Sequence, residues 1–158
     1  MKIDFKKLII SVGICQLSGV LGALFTFSAL QTWYPLLNKP PFTPPAWIFG
    51  PAWTILYVLM GISAYLIWME GTKKTKVREA LLLFGLQLLL NFLWSFIFFG
   101  LRLPGYAFLE IIALWVSIIA AIISFFGISR KAGFLLLPYL AWVTFAALLN
   151  YSVWMLNP

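Results

Sequence analysis

The stretch LIISVGICQLSGVLGALFTFSAL, residues Leu8–Leu30, decides the fold class, because it runs for about 23 residues without a charged side chain. A helix needs about 20 mostly apolar residues to cross the hydrocarbon core of a bilayer. Lys6 and Lys7 before it resemble the start of a cleavable signal peptide, but the apolar stretch is longer than a typical signal core. We therefore interpret it as a transmembrane helix and predict no cleavable signal.

Four further apolar stretches of similar length follow in the 158-residue chain. The composition agrees with them: 63% of the residues are hydrophobic and 9% are charged, whereas soluble domains carry roughly 25% charged residues. The sequence thus predicts an all-α membrane protein that forms one domain over residues 1–158, a bundle of five transmembrane helices. The predicted helices span residues 8–30, 46–68, 80–101, 106–127 and 134–156.

The basic residues are distributed unevenly between the two ends of this predicted bundle. With five helices, nine of the eleven lysines and arginines fall on the side of the N-terminus, and only Lys39 and Arg102 fall on the other. Because cytoplasmic loops of membrane proteins carry the basic excess, we expect a cytoplasmic membrane with the N-terminus inside and the C-terminus outside. The net charge of +7 then reflects topology and contact with anionic lipid, and we expect no nucleic-acid binding.

The connection between the first two helices, QTWYPLLNKPPFTPP at residues Gln31–Pro45, differs from the other three. It contains five of the nine prolines together with three aromatic residues. Proline fixes the backbone and removes an amide donor, so this segment is stiff and difficult to build as a helix. Long loops of this kind usually pack on the domain and carry function. We expect this proline-rich loop to form part of a site.

Several polar or aromatic side chains fall inside the predicted helices, where each needs an inward-facing explanation. Gln87 and Asn91 share one face of the third helix, Asn150 lies in the fifth, and Glu110 is the only carboxyl group within a predicted span. The amides either hydrogen-bond between helices or, with Glu110, converge on a ligand site beneath the proline-rich loop. The deeper tryptophans allow the same choice between core packing and stacking on a flat ligand. These tryptophans are Trp53, Trp94, Trp115 and Trp142.

Small residues recur at four-residue spacing on the first helix, at Cys15, Gly19 and Ala23, with Ser18 and Gly22 beside them. A face of this kind allows close helix approach, either across a dimer interface or within one subunit. The spacing alone leaves both possibilities open.

The residue types needed for most catalytic chemistry are missing. The chain has no histidine and one cysteine, which excludes a Ser–His–Asp set, a histidine metal site and a disulfide. We expect no cofactor and no metal. No intramembrane series of charges suited to proton-coupled transport is present either. The residues alone favour a membrane protein that binds a flat, apolar ligand.

Three blocks of the sequence resemble the TspO/MBR family, which comprises the tryptophan-rich sensory proteins and the translocator proteins, or peripheral benzodiazepine receptors. The first block, Trp33–Trp68, contains the distinctive segment KPPFTPPAW at Lys39–Trp47; the others are LLLNFLWSFIFFG at Leu88–Gly100 and LLPYLAWVTFAALLNYSVW at Leu136–Trp154. The resemblance implies a five-helix bundle, usually a homodimer, whose first loop closes a pocket for porphyrins such as protoporphyrin IX and for benzodiazepine-like ligands. It assigns the following residues to ligand binding, with Trp33 of the loop added to them: Trp47, Trp53, Tyr57, Asn91, Trp94, Tyr106, Glu110, Trp142, Ala146 and Leu149.

The chain departs from the family pattern in two places. The carboxyl group of the fourth helix is often an aspartate in the family and is Glu110 here, so its reach differs by one methylene group. The cholesterol motif needs a basic residue after its tyrosine, and no lysine or arginine follows Tyr151. We therefore do not predict specific cholesterol binding.

Three functions are compatible with this sequence. The leading hypothesis is a binding and sensing protein for tetrapyrroles, in which Lys39 and Arg102 contact the propionates. The second is light-dependent porphyrin degradation with Trp53 and Trp142 as the catalytic redox pair, which needs no histidine, metal or base. The third, transport of a tetrapyrrole or another lipophile, ranks last because five helices leave little room for a central pathway and no internal repeat is evident.

Overall fold

Five long helices make up the computed structural model, which describes residues 3–158. Each is long and apolar enough to cross a membrane, so the predicted five-helix membrane bundle is confirmed. The helices are α1 (Phe5–Thr32), α2 (Phe49–Met69), α3 (Thr75–Ser95), α4 (Pro104–Phe126) and α5 (Arg130–Leu156).

Three helices begin well before the apolar stretches that predict them. At α1 the carboxylate of Asp4 accepts a hydrogen bond from the Lys7 amide at 3.1 Å, and at α5 the Ser129 hydroxyl accepts one from the Ala132 amide at 3.4 Å. Such caps satisfy the free amides of a first helical turn. Hydropathy detects only the part of a helix that lies in lipid, and the capped polar turns extend beyond it.

The last turn before α4 is a π-helical turn, Phe96–Gly100, which we call the π segment. It is closed by a hydrogen bond from the Leu101 amide to the Phe96 carbonyl at 2.8 Å. The wider turn changes the direction of the side chains that follow it, and π turns are frequent at functional sites. Arg102 comes next in the left-handed region, with φ at +59°, and the chain then enters α4.

The helices form a closed ring in which each packs between two neighbours. Around the ring the order is α1, α2, α5, α4, α3, and α3 returns to α1. Three of the four connections are short, which makes the helices they join antiparallel neighbours. The interior is filled by large apolar and aromatic side chains, among them Met60, Phe125 and Tyr139, which are fully buried.

Glycines allow α1 to approach its neighbours closely. A Cβ added at Gly61 of α2 would lie 2.5 Å from the Val12 Cα of α1. On α1 itself, Gly19 lies against the ring of Tyr57, and a Cβ at Gly22 would lie 3.2 Å from the Ser95 hydroxyl. At these two positions the small-residue face of α1 packs within the subunit, the second of the two possibilities that its spacing left open.

The proline-rich loop packs on the π segment. The Trp33 ring meets Phe98 edge to face, with centroids 5.8 Å apart, and the Tyr34 ring lies 6.0 Å from that of Phe99. The Lys39 ammonium group donates to the carbonyls of Tyr34 and Leu37, both at 2.9 Å. The loop is therefore braced from inside as well as against the bundle.

A pair of asparagines fastens the same loop to the end of α5. The backbone N–H of Asn38 donates to Asn157 Oδ1 at 3.0 Å, and Asn157 Nδ2 donates back to the backbone carbonyl of Asn38 at 2.9 Å. Asn38 Nδ2 adds a third bond, to the Leu156 carbonyl at 3.3 Å. We call this the asparagine clasp; it joins residues 119 positions apart.

Candidate functional site

A cavity of about 330 Å³ lies in the half of the bundle remote from the N-terminus. Its walls come from α1, α2, the end of α3, the π segment and α5, and the proline-rich loop contributes Tyr34. None of its lining residues is charged. Burial raises the pKa of the Tyr34 phenol, so this group also stays neutral. The aromatic members of the lining are Phe27, Tyr34, Phe49, Trp53, Tyr57, Trp94, Phe98 and Phe99.

The cavity has a side opening between α1 and α2. At the end of the opening nearer the N-terminal half of the bundle, the two helices are joined by a hydrogen bond from Gln16 Nε2 to the Thr54 carbonyl, at 3.0 Å. Beyond this bond, residues of both helices line the cavity, and several are exposed on the outer surface: Val20 is 58% exposed and Phe27 68%. Both helices are membrane spans, so the opening faces the lipid rather than water.

Three buried side chains fix the inner end of the cavity. The Tyr57 hydroxyl donates to Asn91 Oδ1, and Asn91 Nδ2 donates to the Tyr139 hydroxyl at 3.1 Å. This chain of bonds links α2, α3 and α5. It also holds the Tyr57 ring, which stacks on Trp53 with centroids 5.5 Å apart. Asn91 thus orients the cavity wall without lining it.

A second amide positions Trp94. The indole N–H of Trp94 donates to Asn150 Oδ1 at 3.0 Å. Asn150 Nδ2 in turn donates to the Pro104 carbonyl at 2.8 Å. Asn91 and Asn150 therefore hydrogen-bond between helices, as one of the two interpretations of these residues predicts. Gln87 does not share this role, since both polar atoms of its buried amide lack a hydrogen-bond partner among the described residues.

Trp53 and Trp142 form a perpendicular pair with ring centroids 6.5 Å apart and an interplanar angle of 86°. Trp53 lines the cavity and Trp142 lies behind it. Trp142 also packs against Phe49, whose ring centroid is 6.1 Å away. Trp142 therefore contacts two residues of the cavity wall without lining the cavity itself.

The structure brings five of the predicted ligand-binding residues together in the wall of the cavity. Three more contact wall residues from behind: Trp33 packs on Phe98, Asn91 binds Tyr57, and Trp142 packs on Trp53. The five in the wall are Trp53, Tyr57, Trp94, Ala146 and Leu149.

The other predicted contacts lie outside the cavity. Trp47 is 74% exposed and Tyr106 68% exposed, and no residue of α4 contributes to the lining. Glu110, also on α4, has both carboxyl oxygens buried without a hydrogen-bond partner among residues 3–158. Of the two cations, Lys39 is held by loop carbonyls, and Arg102 is exposed beyond the π segment. Contact of these residues with a ligand stays a prediction.

Several wall residues were not predicted from the sequence. Tyr34, Phe49 and Phe99 are aromatic residues in segments already rich in them, with nothing in their spacing to mark them out. Phe99 enters the wall through the π segment, and the four apolar residues before Gly100 in FIFFG are equally compatible with a regular helix. Gly19 and Gly22 did carry a signal, the small-residue face of α1, which also leaves a flat wall beside the cavity.

Comparison with known proteins places this arrangement in a family. The model of the TspO/MBR family matches residues 11–155. The chain is 46% identical over 152 residues to the tryptophan-rich protein TspO of Archaeoglobus fulgidus, covering 96% of this chain and 97% of that protein. It is 41% identical over 145 residues to the translocator protein of Bos taurus, covering 90% and 85%. The tryptophan-rich sensory protein of Cereibacter sphaeroides is 34% identical over 158 residues, covering 99% and 95%.

Proposed function

The chain belongs to the TspO/MBR family, and from this premise we propose that it binds and senses porphyrins of the protoporphyrin IX type in the membrane. Benzodiazepine-like apolar molecules are the second ligand class. One observation carries the proposal: an aromatic cavity with no charged lining residue opens sideways towards lipid. A water-soluble ionic substrate finds no charged partner among the lining residues, whereas a flat lipophile finds ring faces on which to stack.

The dimensions of the cavity limit how a porphyrin can sit. A volume of about 330 Å³ is near the lower end of the range for small-molecule sites, roughly 300–1,000 Å³. We infer that part of the macrocycle lies against Trp53 and Trp94, and that the rest extends through the opening between α1 and α2. The glycine face of α1 leaves room for a planar ligand along that wall.

The acidic edge of a porphyrin requires a cation at the mouth of the site. The Lys39 ammonium group already has its partners in the loop carbonyls. Arg102, which follows the π segment, is exposed and forms no salt bridge within residues 3–158. We propose that Arg102 makes the first contact with a propionate, and that Lys39 acts chiefly by holding the loop.

The basic residues support a topology for the site. We place the N-terminal end of the bundle in the cytoplasm, following the distribution of lysines and arginines. The cavity then lies in the outer leaflet of a cytoplasmic membrane. A homodimer, which the family resemblance implies, is compatible with this arrangement.

Titration of the purified, detergent-solubilised protein with protoporphyrin IX in the dark tests the proposed function, with tryptophan quenching as the readout. We expect saturable binding that Trp53→Phe weakens about fivefold, since an aromatic contact contributes about 0.5–1.5 kcal/mol. Trp115→Phe is the matched control, because Trp115 lies on α4 outside the cavity and donates to Thr144. Non-saturating quenching that is identical in all three proteins would rule out this porphyrin site.

Light-dependent porphyrin degradation is the second candidate function, and the Trp53–Trp142 pair favours it. One indole can touch a bound macrocycle while the other lies 6.5 Å behind it, which suits electron exchange with a photoexcited ligand. Such ring oxidation would consume dioxygen. Illumination of the complex in air should then give a spectrally distinct product, and Trp142→Phe should slow its formation while leaving dark binding almost unchanged. Equal rates in the wild type and the Trp53→Phe, Trp142→Phe double variant would exclude the tryptophan pair as the redox partners of this degradation.

A further inference from the structure

A second crevice, of about 200 Å³, lies between α1 and α3 in the half of the bundle that carries the N-terminus. It shares no lining residue with the cavity described above. Its walls include Ser11 and Cys15 of α1, Leu81 and Gly85 of α3, and Trp68 of α2. Gly85 is exposed, and a Cβ added there would meet no atom within 4 Å. The crevice is therefore open along its lipid-facing side.

Each of the two helices places a cation one turn before the crevice begins. On α1, Lys7 precedes Ser11 by four residues, and on α3, Arg78 precedes Leu81 by three. Residues at these spacings lie on one face of a helix. Lys7 Nζ lies 5.7 Å from the centroid of the Trp68 ring, which lines the crevice. The apolar crevice thus ends at two positive charges at the rim of the bundle.

These cations are only partly neutralised by the protein. Lys7 lies 3.6 Å from the Asp4 carboxylate, and Arg78 forms no salt bridge within the part of the chain that the structure describes. At this end of the bundle nine lysines and arginines outnumber three acidic residues, Asp4, Glu70 and Glu79, so a second copy of the chain brings a rim that is itself net positive. An amphiphile with an anionic head and an apolar tail matches both the apolar crevice and the two cations at its end.

We propose that this crevice binds one anionic glycerophospholipid. An acyl chain lies between α1 and α3 over Gly85, and the phosphate group lies between Lys7 and Arg78 at the rim. Bulk lipid is as apolar as the crevice, so the acyl chain contributes packing but little selectivity. Selectivity for an anionic headgroup comes from the two cations. The site does not depend on what the larger cavity binds.

Native mass spectrometry of the detergent-purified protein tests the proposal, with dioleoyl phosphatidylglycerol and dioleoyl phosphatidylcholine as probes that share their acyl chains. We expect one phosphatidylglycerol per chain, bound more tightly than phosphatidylcholine. Lys7→Gln and Arg78→Gln should each weaken phosphatidylglycerol about fivefold, and the double variant about thirtyfold. Arg130→Gln, which removes another cation at the same end of the bundle, should leave its affinity unchanged.

Filling the crevice provides an independent test. Gly85→Leu should displace the acyl chain and reduce the binding of both lipids. Gly13→Leu is the matched control, because Gly13 is also exposed, has nothing within 4 Å of an added Cβ and does not line the crevice. Helical circular dichroism and size-exclusion chromatography confirm that each variant is folded.

Three results would overturn the proposal. The first is equal retention of the two lipids, with no effect of Lys7→Gln or Arg78→Gln. The second is an equal effect of Gly85→Leu and Gly13→Leu on lipid binding. The third is dissociation of a dimer by Gly85→Leu while lipid retention stays the same, which would make this face a contact between two copies.

Discussion

Replacement of Gly61 by alanine is expected to destabilise the bundle by about 3 kcal/mol, because the new methyl group has no space to enter. It would lie 2.5 Å from the Val12 Cα and 2.9 Å from the Val12 amide nitrogen. Backbone atoms cannot rotate away as a flexible side chain can, so α1 and α2 must separate at their closest crossing. The free energy of unfolding, measured by titration of mixed micelles with SDS, reports the loss.

Gly13→Ala is the control for this prediction. Gly13 lies on the facing helix one residue from Val12, yet nothing stands within 4 Å of a Cβ added there. Alanine is the better helix former by roughly 1 kcal/mol, so stability should be unchanged or slightly higher. If both variants lose the same stability, the close crossing at Gly61 is not what holds α1 and α2 together.

Replacement of Asn91 by leucine is expected to cost about 3 kcal/mol, since it leaves two buried tyrosine hydroxyls without partners. Asn91 accepts from the Tyr57 hydroxyl and donates to that of Tyr139, and all three residues are buried. An orphaned buried polar group costs roughly 1–3 kcal/mol. The same micelle titration measures the effect, and weaker porphyrin binding should accompany it because the Tyr57 ring loses its anchor.

Removal of the orphaned groups should reverse most of that loss. The triple variant Tyr57→Phe, Asn91→Leu, Tyr139→Phe replaces the network by apolar groups of similar shape, which can be nearly neutral. Its stability should return to within about 1 kcal/mol of the wild type. A triple variant as unstable as Asn91→Leu alone would show that Asn91 acts through its volume and not through these hydrogen bonds.

The fold was predictable because the length and hydropathy of continuous stretches of the sequence are enough to identify transmembrane helices. Stretches such as Leu8–Leu30 are too long and too apolar for any other structure, and the basic residues divide consistently only with five helices. The ends of the helices were less predictable. The cap at Asp4 and the polar first turns of α3 and α5 lie beyond the apolar stretches, where hydropathy carries no information.

The site was predictable where residue type alone restricts the role of a residue. Trp53, Tyr57 and Trp94 are in the wall of the cavity because large amphipathic rings at membrane depth pack inward. Tyr57 and Trp94 hydrogen-bond to buried amides, and Trp53 stacks on Tyr57. The π segment was not predictable, since FIFFG is equally compatible with a regular helix. The hydrogen bonds of the Lys39 ammonium group were not predictable either, because they depend on how the folded loop orients the carbonyls of Tyr34 and Leu37.

The asparagine clasp has a consequence for the order in which the site is completed during synthesis. Domains assemble as the chain emerges, from the N-terminal side onward, and α1 to α4 can enter the membrane before Asn157 has been translated. The proline-rich loop can be fastened over the cavity only when the end of α5 arrives to bind Asn38. A nascent chain that ends before α5 therefore lacks both the α5 wall of the cavity and the clasp, and the site is completed only after the fifth helix has inserted.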